Sequence, residues 1–103
     1  MSYSGYLYYS ASVCSVFNNE LIVRRNFYSK GSALSDFAVL DFFASDVCAR
    51  HEPHYLQVQV SDPVAGYVER VLFSCYCDTY ESEHLERAIS KFYAEREGSA
   101  RVL

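Results

Sequence analysis

A chain of 103 residues with a formal net charge of −4 and only nine lysines and arginines is poorly equipped to hold a phosphate backbone by charge. Half of the residues are hydrophobic and 17% are aromatic, all Tyr or Phe, which excludes a disordered chain and suffices for one domain over residues 1–103 with one core. No apolar run approaches the roughly 20 residues of a membrane helix, and the start lacks the basic and apolar regions of a secretory signal. The expectation is therefore a cytoplasmic protein (host cytoplasm if the chain is viral) with no membrane partner.

From Tyr6 to Phe17 the alternation places Leu7, Tyr9, Ala11 and Val13 on one face of a strand and Tyr6, Tyr8, Ser10 and Ser12 on the other. Asn18-Asn19 is a turn pair, since Asn tolerates positive φ, and Glu20 to Tyr28 returns as a second strand. There Leu21, Val23 and Phe27 share a face with Arg25. Ser32 offers a cap for a helix from Ala33 to about Ala49, and Pro53 ends it. His54 to Ser61 alternates Leu56, Val58 and Val60 with Gln57, Gln59 and Ser61, a strand with one dry face.

Tyr67 to Cys77 is apolar on both sides, which predicts a central strand. The second helix follows, with Leu85, Ala88, Ile89, Phe92 and Tyr93 as its apolar stripe. Asp78 and Glu81 are spaced as a capping box, and Gly98 marks its end before a tail of residues 99–103. This strand and helix look like the pair against which the remainder packs. The predicted architecture is α+β, ββαββα: a four-stranded antiparallel sheet with two helices packed on one face.

A shift of 50 residues lays one half over the other (residues 1–50 and 51–98) as a pseudo-twofold duplication. It sets Val39 on Ile89, and Phe42-Phe43-Ala44 on Phe92-Tyr93-Ala94. On that alignment Val39, Phe42 and Phe43 face the sheet. Helix one carries a second apolar stripe, however: Leu34, Phe37, Leu40, Ala44, Val47 and Cys48. Only Ser35, Asp36, Asp41, Ser45, Asp46 and Arg50 then remain for water. A sheet covers one stripe. Either helix two covers the other, or part of the surplus, Phe42 above all, is exposed as an interface.

Chemistry-bearing clusters are few. Cys48, His51 and His54 with Cys75 and Cys77 supply the ligand types that zinc prefers, though the spacing fits no familiar finger; the competing reading is reduced, buried thiols, with no metal and no cofactor. Cys75 or Cys77 with His84 and Glu81 could be drawn as a catalytic triple, as such residues can in most chains. No phosphate loop, dinucleotide fingerprint or zinc-protease motif is present. Arg24, Arg25 and Lys30 among Tyr8, Phe27 and Tyr28 form one basic-aromatic patch. The expectation is that these arginines lie along the sheet and pair with acids, and direct nucleic-acid binding is disfavoured.

The functional expectation is a non-enzymatic protein-binding module. Its contact surface would combine Val39, Phe42 and Asp46 of helix one, Tyr6 and Tyr8 of the first strand, and Glu83 and Glu86 of an acidic helix two. In composition alone, the chain is similar to small acidic inhibitors of phages and mobile elements, anti-CRISPR proteins among them. That likeness implies a chain that blocks a surface on a host protein, including a nucleic-acid-binding one. The alternatives are a homodimeric scaffold or regulatory subunit built on the apolar face of helix one, and a small-ligand or metal-binding domain.

Overall fold

The computed structural model describes residues 7–63, 66 and 69–102. The elements follow the order β1 (Tyr8–Cys14), β2 (Leu21–Tyr28), α1 (Ala33–Arg50), β3 (Tyr55–Ser61), β4 (Glu69–Tyr76) and α2 (Ser82–Val102), with a 3-10 turn at Cys77–Thr79 between β4 and α2. The four strands form one antiparallel sheet in the order β2-β1-β3-β4. The fold is ββαββα, of the α+β class, as the pattern of periodicities predicts.

Strict alternation determines which residues make the core. Tyr9, Ala11 and Val13 of β1 oppose Val60, Val58 and Leu56 of β3, and all six are 0–1% exposed beneath the helices. On the opposite face, Ser10 and Ser12 lie between Asn26 and Arg24 of β2 and Gln59 and Gln57 of β3. Asn19 takes the positive φ that the β1–β2 turn requires, at 62°. The Ser32 hydroxyl accepts the Ser35 N–H at 3.1 Å as the cap of α1, and the helix stops before Pro53.

Three sequence expectations are corrected. First, β4 is an edge strand, and the sheet centres on β1 and β3. Its two apolar sides come from a bulge between Val58 and Gln59, which turns Val71 to the open face opposite Gln59 and Arg70 to the helix face opposite Val60. There the Arg70 guanidinium lies 5.3 Å from the Phe92 ring centre and 3.5 Å from Glu95. Second, no capping box forms at Asp78, because the 3-10 turn occupies Cys77–Thr79 and α2 starts at Ser82. Third, α2 runs through Gly98 to Val102; one glycine costs a helix only about 1 kcal/mol, too little to end it.

Each ββα half contributes one central strand, one edge strand and one helix. The helices correspond one residue out of step with the shift of 50. Asp36, Leu40 and Phe43 of α1 are buried at the same spacing, and from the same fourth position, as Leu85, Ile89 and Phe92 of α2. One residue is about 100° of helix rotation. The sheet therefore receives Leu40 and Phe43, while Phe42 turns away from it.

Candidate docking groove

The rotation of α1 is held by two polar anchors. Asp36, only 2% exposed, accepts the Tyr9 hydroxyl at 2.5 Å, the Tyr93 hydroxyl at 2.6 Å, the Ser29 hydroxyl at 2.7 Å and the Lys30 N–H at 2.6 Å. One carboxylate thus ties β1, the β2–α1 connection and α2 to the first turn of α1. One turn further on, Asp41 accepts the Tyr80 and Ser82 hydroxyls, each at 2.5 Å, joining α1 to the start of α2. Both aspartates were expected to face water; they face inward because hydroxyl donors on neighbouring elements satisfy their oxygens. Burial, followed by the bond to Asp36, pushes the Tyr9 and Tyr93 hydroxyls above the ordinary tyrosine range. Burial and the bond to Asp41 do the same for Tyr80.

With α1 so placed, α2 packs directly against it, and Leu40, Ala44, Val47 and Cys48 are buried. Leu34, from the same stripe, stays exposed. Over β2 the helix layer leaves a groove of about 610 Å³. Val23, Arg25 and Phe27 line it from the edge strand, and Val39, Phe42, Phe43 and Val47 from α1. Its floor is aromatic: Phe27 and Phe43 meet edge to face at 5.7 Å, with the Arg25 guanidinium 5.6 Å from the centre of the Phe43 ring. Phe42, 80% exposed, stands beside the groove, and Val39 is half-buried there. At the C-terminal end of α1, Asp46 pairs with Arg50 and His51 closes the lining.

The groove gathers three of the residues that the sequence singled out, Val39, Phe42 and Asp46. The others lie elsewhere. Tyr8 alternates with core Tyr9, so it sits on the opposite face of the sheet, its ring 5.3 Å from that of Tyr28. Glu83 and Glu86 are exposed on α2 and do not line the groove. Tyr6 lies outside the described residues. Val23, Arg25 and Phe27, which the sequence does not place in the protein-contact surface (Arg25 and Phe27 fall in its basic-aromatic patch), supply its other wall. Their i, i+2, i+4 spacing had already put them on the helix-facing side of β2.

The basic-aromatic patch is split by the same alternation. Arg25 and Phe27 enter the groove, while Arg24, Tyr8 and Tyr28 belong to the open face. Among the described residues neither Arg24 nor Arg25 reaches a carboxylate, so the expected pairing with acids is not made. Cys48 and Cys77 are buried in the core, His51 lines the groove, and the His54 Nδ1 accepts the Val16 N–H at 3.3 Å. No three His, Cys, Asp or Glu side chains converge as metal ligands among the described residues. Burial pushes the Cys48 and Cys77 thiols up and takes Cys75 up to about 11, the reverse of what a nucleophile requires. No side-chain hydrogen bond joins Cys75 or Cys77 to His84 or Glu81. No described helix is long and apolar enough to cross a membrane. Neither a known protein family, nor a curated protein, nor a solved structure is significantly similar to this chain.

Proposed function

We propose that this chain is a non-enzymatic protein-binding module that docks a partner protein in the groove between α1 and β2. The observation that carries the reading is Phe42, 80% exposed beside an apolar groove of about 610 Å³. Burying a Phe side chain contributes roughly 2–3 kcal/mol, and here that contribution is left to a partner. The groove falls in the size range of ligand sites and has an aromatic floor with charged groups at one end. Occupying a surface on its partner makes the module an inhibitor by exclusion. The exposed glutamates of α2 add a negative field toward basic regions of the same partner. The setting proposed is the cytoplasm.

A photo-crosslinking amino acid in place of Phe42 tests this in cells expressing the chain. One discrete adduct is expected from position 42, and none from the same group in place of Leu34, which is exposed on α1 but does not line the groove. Equal adducts from both positions, or none from 42, would remove the groove from the argument.

A further inference from the structure

The groove has one wall made of an edge strand, and that edge is open. β2 pairs with β1 on one side, and among the described residues nothing pairs with the other. An open strand edge offers a row of backbone donors and acceptors, and a second extended chain can continue the ladder there. Side chains of an added strand share the face of the residues they oppose. Every second guest residue would therefore enter the groove beside Val23, Arg25 and Phe27.

Charge selects the guest. The groove contains two arginines and one aspartate, with Asp46 engaged by Arg50. Arg25 remains over the Phe43 ring, and Arg24 projects to the other face at the next position. These form a basic segment on a chain whose net charge is −4. Two copies of β2 paired antiparallel across a twofold near its middle would set Arg24 opposite Arg24 or Arg25 opposite Arg25, like charge against like. The strand is thus guarded against its own copy and matched to an acidic guest.

We propose that the outer edge of β2 receives an extended segment of a partner protein with adjacent acidic residues opposite Arg24 and Arg25 and apolar residues opposite Val23 and Phe27. The inference deepens the docking reading and rests on it. Backbone pairing supplies sequence-independent attachment, and the groove reads the alternate side chains. Arg25 requires an acid between the two apolar groups on the groove side, and Arg24 requires one on the open face.

A library of random nonapeptides selected on the intact chain is the probe, and a selected peptide is then measured against variants. The expected consensus is an acidic pair flanked by apolar positions at the stated spacing, with backbone amide shifts along β2. Arg24→Glu with Arg25→Glu is expected to weaken binding about tenfold or more, and to redirect selection toward lysine-containing peptides. Methylating alternate peptide nitrogens removes ladder donors without altering side chains, and is expected to weaken binding at least as much for one of the two alternations. Peptides blocked by Phe42→Asp but indifferent to methylation and to arginine reversal would leave groove docking standing and overturn strand addition. Selection of no groove binder would overturn both. A dimer by light scattering that dissociates on Phe42→Asp would identify a second copy as the occupant and overturn the inference.

Discussion

Asp36 is the residue on which the placement of the groove depends. It brings four donors to one buried carboxylate, and the helix that carries it can rotate only by abandoning them. Asp36→Ala would leave the Tyr9 hydroxyl and the Lys30 N–H without their acceptor. The expected loss is about 3–5 kcal/mol, read as a lower midpoint in urea unfolding. The same cluster predicts a response to base. Tyr9, 1% exposed, has its hydroxyl pKa raised by burial, so the folded state retains a proton that the unfolded state releases above about pH 10. Its stabilising contribution is complete below pH 10 and declines above it. The slope is about 1.4 kcal/mol per pH unit until the folded state also ionises. Tyr9→Phe is expected to lower stability at pH 7 and to flatten that decline, measured by urea unfolding at pH 7, 10 and 11. None of this was legible in the sequence. An aspartate in the first turn of a helix usually serves the helix dipole from the solvent side, and the donors that turn Asp36 inward come from Tyr9 and Tyr93, distant in the chain.

In α1 the decisive contrast is between adjacent residues. Phe43 is 7% exposed and packs on Phe27; Phe42 is 80% exposed. Phe43→Ala is expected to cost about 3–5 kcal/mol, and Phe42→Ala to stay within about 0.5 kcal/mol in the same urea titration while weakening partner binding. Equal losses would place both rings in the core and close the groove. Periodicity in the sequence was enough to show that α1 has two apolar stripes and too few polar residues to separate them. It could not choose between the stripes, because the shift of 50 is one residue out of step with the helices and misplaces the helix face by about 100°. In β1 and β3 the alternation is unbroken, and each described residue of these strands that the pattern assigns to a face lies on that face. In β4 the pattern fails: a bulge opposite Val58 and Gln59 changes the face of Val71, and period-two reading does not detect an inserted residue.

Across the whole molecule the two edge strands differ in what covers their helix side, and the proposed docking surface rests on that asymmetry. β4 is covered on its helix side. α2 packs against it, Phe73 meets Tyr80, and Arg70 bridges to Glu95 across the Phe92 ring. β2 lies beside a groove instead. Local stability should follow, since segments with little buried contact open without global unfolding. Hydrogen exchange on the free chain is therefore expected to be slowest in β1 and β3, intermediate in β4, and fastest in β2. Under the strand-addition proposal, such an edge would need little rearrangement and would gain backbone partners when a guest pairs. Equal protection of β2 and β4 in the free chain would mean that something already covers the β2 edge, and the site would not be available to a partner. Fast exchange at β2 that slows on addition of an acidic, apolar peptide, with β4 unchanged, would tie the open edge, the groove and the two arginines to one event.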